Sequence, residues 1–457
     1  MRFIGRAFEL RELEEEYEKD IFALSVIYGR RRVGKTYLIK EFLKRKRGYY
    51  YVALESNALI NLSLLSQAIY EACGNLKGLP DFQDFEKALR YLFAYAEEHR
   101  IIFVIDEYPY LAQSAEHISS LLQKLIDEYR ERSKLFLILC GSSMSFMENQ
   151  VLGYKSPLYG RRTSQLKVQP FGYLEAAEFV PSYSYRDKAI VYGITGGIAE
   201  YLSFFDENVD LKTNIIRNFL KPNGRLFEEP DNLLKQELRQ PKLYNDILFV
   251  ISAGASKLNE IATKLNMQSG GLSHYLNSLL ELGIIEKKTP VLDRKSKRPI
   301  YRIKDTMFRF WYIFVQKNLN LLNMDLGELV YEKQIEPKLN EYMGAIFEQI
   351  VIEYFEQRLR KGELDFLPED YGNWWGTDKI RKKAKPFPAK NKSYWLVSLS
   401  GFEDFPVEKN TERITLEEIY EIGQQSLDPF YSESNMRSLK KSIKELREGK
   451  GKAHELI

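Results

Sequence analysis

The residues with the clearest chemical signature lie at 29–36 and read GRRRVGKT. The spacing G-x-x-x-x-G-K-[ST] is typical of a loop whose backbone N–H groups converge on phosphate oxygens. Gly29 and Gly34 let the backbone bend, Lys35 is placed to bridge the β- and γ-phosphates, and the Thr36 hydroxyl is placed to bind Mg²⁺. The predicted nucleotide site also includes the other loop residues and the next residue along: Arg30, Arg31, Arg32, Val33 and Tyr37. Three adjacent arginines cannot all face one phosphate, so at least one is expected to point to solvent or to another domain.

A pair of carboxylates, Asp106 and Glu107, ends the apolar run in HRIIFVIDEYPYL (99–111). If this run is a buried strand beside the strand that precedes the glycine loop, Asp106 lies at the metal and Glu107 polarises the attacking water. Alone, such a pair more often marks an ordinary strand end or helix cap. About 70 residues after a phosphate-binding loop, it indicates hydrolysis.

Two further groups are candidates for contact with the γ-phosphate. A third apolar run, KLFLILCGSSMSF (134–146), ends in Ser142 and Ser143, and the carboxyl ends of parallel strands are where such sheets bind ligands. A simple helix N-cap explains these serines equally well. Arg161 and Arg162 follow in a loop, where a guanidinium from this subunit or a neighbour would reach the γ-phosphate. A solvated or backbone-bonded arginine pair is the alternative.

The surrounding pattern supplies the elements that must position these groups. FALSVIY (22–28) is an apolar, β-rich run, and TYLIKEFLKRK (36–46) has its apolar residues on one helical stripe. Strand, loop and helix in this order predict an α/β protein with a parallel sheet. An Asn-Lys-x-Asp loop of the kind that recognises guanine is missing from the sequence, which favours ATP over GTP.

The composition limits the class of protein. The 457 residues are 44% apolar and 29% charged, which predicts two to four folded domains. No apolar run approaches the ~20 residues of a membrane-spanning helix. The acidic N-terminal stretch lacks a secretory signal, and the 2 cysteines fit a reducing compartment, so we expect a cytoplasmic protein without a membrane partner. The net charge of +3 is close to zero for a chain of this length, so any basic surface must come from local clustering of Lys and Arg.

The chain is divided by its pattern into five parts: a core at 1–170, a helical lid at 171–240, a winged helix-turn-helix at 241–305, a further domain at 306–436 and a basic tail at 437–457. Three short helices and a hairpin predict the winged helix. The hairpin turn carries four cations that would contact DNA phosphates: Arg294, Lys295, Lys297 and Arg298. The alternative is a protein-interaction element whose charges are solvated.

Several segments closely resemble the archaeal-type ATPase family, in the AAA+/STAND branch of P-loop NTPases: FIGRAFELREL (3–13), VIYGRRRVGKTYLI, IIFVIDEYPYL, LILCGSSMSFM, SPLYGRRT and GGIAEYL. The resemblance implies an AAA+-like core, a winged helix and a small α+β, restriction-endonuclease-like C-terminal domain. It places Gly5 and Arg6 near the adenine, and it makes Arg161 and Arg162 the arginine pair of the family. It also implies ATP and Mg²⁺ at Lys35, Thr36, Asp106 and Glu107.

The chain departs from the family pattern in two places. Ala7 stands where an acidic residue usually follows Gly5-Arg6. No Glu-x-Lys follows Trp374-Trp375-Gly376 before residue 407, so the sequence does not predict the further metal-binding carboxylates that a metal-dependent nuclease needs beside Glu348. We therefore expect a shortened domain without nuclease activity. The leading hypothesis is a DNA-associated, Mg²⁺-dependent ATPase; the alternative is a STAND-type switch, in which ATP binding locks an assembly, as a homo-oligomer or with a protein partner.

Overall fold

The computed structural model describes residues 2–74, 79–288, 299–364, 394–398 and 411–427. The strands of these ranges are β1 (Ala23–Tyr28), β2 (Gly48–Val52), β3 (Ile101–Asp106), β4 (Leu135–Gly141), β5 (Ser164–Lys167), β6 (Ile285–Lys288), β7 (Ile300–Ile303), β8 (Tyr394–Ser398) and β9 (Thr411–Thr415). The helices of the first 170 residues are α1 (Ala7–Glu18), α2 (Lys35–Leu43), α3 (Ala58–Ala72), α4 (Phe85–Glu98), α5 (Tyr108–Ser114), α6 (Ile118–Tyr129) and α7 (Met144–Phe146), which continues as a π-turn (Met147–Val151).

Strands β1 to β5 form one parallel sheet in the order β2-β3-β4-β1-β5. The strand that ends in Asp106 is therefore not the neighbour of the strand that precedes the glycine loop, and that expectation was wrong. Strand β4 lies between them, with Leu139 opposite both Val26 of β1 and Ile105 of β3. Apolar runs could not indicate this order, because β1, β3 and β4 are all buried along their whole length.

Helices cover both faces of the sheet because successive side chains of a strand point to opposite sides. Ala23 and Ile27 of β1 belong to one apolar core with residues of α1 and α2. Leu24 and Val26 belong to a second core with residues of α3, α4 and α6. The two cores fix the sheet so that the carboxyl ends of β1, β3 and β4 meet at one edge.

A helical segment (residues 173–237) follows the sheet, in the range expected for the lid. It contains α8 (Tyr173–Ala177), α9 (Tyr185–Thr195), α10 (Ala199–Leu202), α11 (Leu211–Ile215) with its π-turn (Ile216–Leu220), and α12 (Glu229–Glu237). The N–H of Glu200 donates to the carbonyl of Arg32 (3.2 Å), which joins the segment to the glycine loop. Gly197 has φ +70°, and a Cβ there would lie 2.0 Å from the Phe171 carbonyl oxygen, so only glycine fits this close approach.

A three-helix module (residues 241–303) comes next: α13 (Pro241–Ser252), α14 (Leu258–Lys264), α15 (Ser269–Glu281) and the antiparallel hairpin β6–β7. Ile261, Leu272, Leu276, Leu279 and Ile284 are fully buried, as the apolar pattern predicts, whereas Leu265 is only partly buried. The four basic turn residues named above lie outside the described residues.

The remaining described residues form helices and one small sheet. The helices are α16 (Thr306–Phe310) with its π-turn (Trp311–Val315) and 3₁₀-turn (Gln316–Asn318), α17 (Leu319–Leu322), α18 (Gly327–Val330) with its π-turn (Tyr331–Ile335) and 3₁₀-turn (Glu336–Lys338), α19 (Leu339–Arg360) and α20 (Leu416–Leu427). Strands β8 and β9 pair in parallel. Trp374, Trp375, Gly376 and the basic tail lie outside the described residues, so the predicted loss of nuclease activity stays a prediction. Among the described helices, none has the length and apolar character that a bilayer crossing requires.

Candidate nucleotide-binding site

A cleft of about 570 Å³ opens at the carboxyl edge of the sheet. The glycine loop, the strand ends, the N-terminal residues and the helical segment all contribute to its walls. Most of the predicted site residues line it: Arg6, Arg31, Arg32, Val33, Gly34, Lys35, Thr36, Tyr37, Asp106, Glu107 and Ser142. The sequence patterns therefore predicted groups that the fold brings together from four separate parts of the chain.

The glycine loop is shaped for an anion at the start of α2. Gly34 has φ +95° and is the residue before the helix, whose first-turn N–H groups lack helical partners. The Lys35 ammonium is buried and donates to the carbonyls of Gly29 (2.8 Å) and Arg30 (3.1 Å). Burial lowers the pKa of Lys35, because a low-dielectric setting disfavours its charge. A phosphate would relieve this cost.

The Asp106 carboxylate lies at the end of β3 and accepts three hydrogen bonds. The donors are the Thr36 hydroxyl (3.4 Å), the N–H of Glu107 (2.9 Å) and the Tyr50 hydroxyl. The Thr36 hydroxyl oxygen and the Asp106 carboxylate oxygens are of the kind that Mg²⁺ prefers as ligands. Within the described residues no group of three or more His, Cys, Asp or Glu could hold a metal ion, so nucleotide oxygens would have to complete its ligands.

The Glu107 carboxylate is fixed by Ser142. The Ser142 hydroxyl lies 3.1 Å from both carboxylate oxygens of Glu107 and can donate to either. Ser143, in contrast, precedes α7 and makes no side-chain cap hydrogen bond. Glu107 has φ +50°, a backbone conformation that is uncommon outside glycine and that occurs at functional sites. Of the two serines, Ser142 is the one that faces the site.

The three loop arginines are held by carboxylates far away in the sequence. The pairs are Arg30 with Asp305, Arg31 with Glu237 and Arg32 with Glu229. Arg30 does not line the cleft, so the Arg30 side chain is not a ligand-binding group here; only the loop backbone at Gly29 and Arg30 can take part. We expected at least one of these arginines to point to solvent or to another domain, and all three contact carboxylates that lie after the five-stranded sheet in the sequence.

An aromatic wall closes the other end of the cleft. Phe3 and Tyr37 stack with their rings 5.6 Å apart, and Phe171 and Phe179 also line this end. Arg6 lies over the Phe171 ring at 4.1 Å, but its guanidinium donates to the carbonyls of Val33 (2.9 Å) and Gln169 (2.7 Å). Arg6 therefore holds the walls together, and Gly5 does not line the cleft. Sequence reasoning predicted Tyr37 but missed Phe3, Phe171, Phe179 and Tyr50.

The arginine pair predicted for the γ-phosphate does not reach this cleft within one chain. Arg161 makes two hydrogen bonds to Asp127 (2.9 and 2.7 Å), and Arg162 lies over the ring of Tyr159. Neither residue lines the cleft. The loop carries both side chains away from the edge of the sheet where Lys35 lies. A contact of this pair with a neighbouring subunit stays a prediction.

Comparisons with known proteins agree with this geometry. Residues 3–205 match the model of a family described as an ATPase domain predominantly from Archaea, and residues 311–385 match a family of archaeal and bacterial proteins of unknown function. An uncharacterised protein of Methanocaldococcus jannaschii is 32% identical over 378 residues, 82% of either chain. An uncharacterised ATP-binding protein of the same organism is 49% identical over 45 residues, 10% of this chain and 76% of that relative. The Walker-type ATPase of Pyrococcus abyssi has a similar fold (TM-score 0.52, 22% identity, 68% of this chain and 96% of that one).

Proposed function

Since the chain belongs to the P-loop ATPase family whose ATPase domain is found predominantly in Archaea, we propose that it hydrolyses ATP with Mg²⁺ in this cleft and transmits the nucleotide state to the three-helix module. One observation carries the proposal. Lys35, the Thr36–Asp106 pair and the Glu107–Ser142 pair converge on one cleft at the start of α2. The cleft thus combines an anion site, oxygen ligands and an oriented base.

Each group has a role that its position supports. The loop N–H groups and Lys35 bind the β- and γ-phosphates, and the aromatic wall packs against the adenine. Thr36 and Asp106 would hold Mg²⁺, which neutralises charge on the phosphate oxygens. Glu107 accepts hydrogen bonds from the attacking water and polarises it toward the γ-phosphorus.

Two variants test the ATPase proposal. Glu107→Gln keeps the shape of the side chain but removes the base, so it should bind ATP and hydrolyse it about 10²–10⁴-fold more slowly. Lys35→Ala should lose affinity for nucleotide, which is read as a missing ATP-dependent rise in melting temperature. Hydrolysis at the wild-type rate in Glu107→Gln would remove that residue from its role, and ATP-induced stabilisation of Lys35→Ala would place the nucleotide elsewhere.

The three-helix module is proposed as a winged helix that contacts DNA. The N-terminal end of α15 is exposed, and space is open beside Gly270 and Gly271. Lys287 of β6 and Lys304, which directly follows β7, are exposed, and the four basic residues at 294–298 lie between β6 and β7 in the sequence. This density of cations supports contact with the phosphate backbone of DNA. Because α15 has no arginine that could recognise guanine, we expect weak sequence specificity.

A titration with duplex DNA at two salt concentrations separates this role from a STAND-type switch whose winged helix contacts protein. Reversal of the four basic residues to Glu (Arg294, Lys295, Lys297, Arg298) should abolish DNA binding at both salt concentrations. The matched control, Arg294→Lys with Arg298→Lys, keeps the charge and should keep binding. If wild-type protein shows no salt-dependent affinity for DNA, the protein-contact alternative is favoured.

A further inference from the structure

Arg31 lies between the lid-like helical segment and the helix that follows Glu107. Its Nε atom donates to the Glu237 carboxylate at the end of α12 (2.5 Å), and its terminal nitrogen donates to the Tyr110 hydroxyl (3.1 Å). Tyr110 is tied to Glu107 by a hydrogen bond between their backbones (2.9 Å). The guanidinium therefore sits in the wall of the cleft beside the residues that would face the γ-phosphate.

Burial lowers the pKa of the Lys35 ammonium, Asp106 and Glu107 oppose this shift, and the nearby Arg31 guanidinium adds to it. The Arg31 charge therefore lies close to Lys35, at the phosphate-binding end of the cleft. Glu237 is the carboxylate that Arg31 contacts, and the arginine side chain is about a quarter exposed (28%) in the wall of the cleft, so a ligand in the cleft can reach it. A planar guanidinium binds phosphate oxygens through two parallel hydrogen bonds, as it binds a carboxylate.

We propose that Arg31 is a further catalytic residue, which exchanges Glu237 for the γ-phosphate of ATP bound in the same chain. The inference rests on the proposed ATPase function. In this proposal an arginine of the glycine loop contacts the γ-phosphate. Arg161 and Arg162 do not make this contact within one chain, because neither lines the cleft and Arg161 is bound to Asp127.

The role follows from the bonds that change in hydrolysis. The water oxygen forms a bond to the γ-phosphorus while the bond from that phosphorus to the β–γ bridging oxygen breaks, and ADP leaves with the electron pair. The water proton passes to Glu107 and then to the phosphate released. Arg31 stabilises the negative charge on the γ-phosphate oxygens during this step. ADP has no γ-phosphate, so Arg31 stays bound to Glu237 when ADP is present. The Arg31 contact with the γ-phosphate therefore distinguishes ATP from ADP.

Kinetics and affinities of Arg31→Ala test the proposal. The value of kcat should fall about 10³-fold, and the affinity for ATP should fall at least tenfold while the affinity for ADP stays within twofold. Arg31→Lys should recover only part of kcat, because an ammonium lacks the fork geometry. Glu237→Gln removes the competing carboxylate and should tighten ATP binding without changing ADP binding. Arg130→Ala, which removes an exposed arginine outside the cleft, is the matched control.

A mixing experiment tests whether the arginine acts within its own chain. Arg31→Ala and Lys35→Ala are each expected to be inactive, and mixing them should restore nothing. Recovered hydrolysis in the mixture would show that Arg31 serves a neighbouring subunit and would overturn the inference. Two results for Arg31→Ala alone would also overturn it: equal losses of affinity for ATP and ADP, or a kcat within threefold of wild type. If Lys35→Ala alone hydrolyses ATP normally, the proposed function itself fails. The double variant Arg31→Ala, Glu237→Gln leaves no unpaired carboxylate, so a kcat that stays low in it, at an unchanged melting temperature, shows that neither the unpaired Glu237 charge nor misfolding causes the loss.

Discussion

The Arg30 guanidinium contacts the Asp305 carboxylate although 275 positions separate them in the sequence. Asp305 is buried, and its other carboxylate oxygen accepts the N–H of Phe308 (3.0 Å) at the start of α16. Its own N–H donates to the carbonyl of Ile284 (3.1 Å), just before the hairpin of the three-helix module. One ion pair thus joins the glycine loop to the junction through which the module is attached.

Removing Arg30 should destabilise the protein more than removing the charge of Asp305. Arg30→Ala leaves a buried carboxylate without its cation, at a cost of about 3 kcal/mol. Asp305→Asn keeps the oxygen that caps α16, so its loss should be smaller. In the double variant the two losses should not add, since the unpaired charge has gone. Denaturant unfolding of the four proteins measures this coupling, and strictly additive losses would show that the pair does not act as a unit.

The sequence predicted the site residues better than it predicted their surroundings. The glycine loop and the pair Asp106–Glu107 are local signals, because short spacing decides their chemistry. The strand order was mispredicted because buried strands look alike in sequence. The partners of Arg30 and Arg31 are fixed by packing between distant segments, and Tyr50 is one of three consecutive tyrosines with no pattern to distinguish it.

Ser142→Ala should slow hydrolysis without weakening ATP binding. The serine hydroxyl is shared between the two oxygens of Glu107, and without it the carboxylate loses the contact that orients it toward water. We expect kcat to fall roughly tenfold, with an unchanged affinity for ATP, since orientation of a base is only part of its contribution. Ser143→Ala is the control, because that side chain caps no helix. Equal effects of the two substitutions would contradict the role of Ser142.

Tyr50→Phe should weaken the binding of Mg²⁺ together with nucleotide. The Tyr50 hydroxyl donates to Asp106, and burial raises the pKa of Tyr50, so the hydroxyl keeps its proton at all ordinary pH values. Partners that orient a metal-binding carboxylate typically contribute 10–100-fold in affinity, and we expect about tenfold here. Titration of the nucleotide-bound protein with Mg²⁺ measures this affinity. Tyr49→Phe, which loses a hydroxyl bonded to Glu71 instead, should leave the Mg²⁺ affinity unchanged.

Nucleotide binding should take up a proton at alkaline pH through Lys35. Burial holds the pKa of Lys35 below its usual value in the free protein, and the negative phosphates favour the ammonium, so this pKa rises in the complex. Between the two pKa values the complex holds a proton that the free protein has released, and the affinity must fall as the pH rises through that window. Calorimetry at alkaline pH in two buffers of different ionisation enthalpy should show proton uptake, which should shrink as the pH falls below the lowered pKa of Lys35 in the free protein. Lys35→Arg, whose guanidinium stays charged throughout, should show no uptake at Lys35, whereas equal uptake in both proteins would assign the proton to another group.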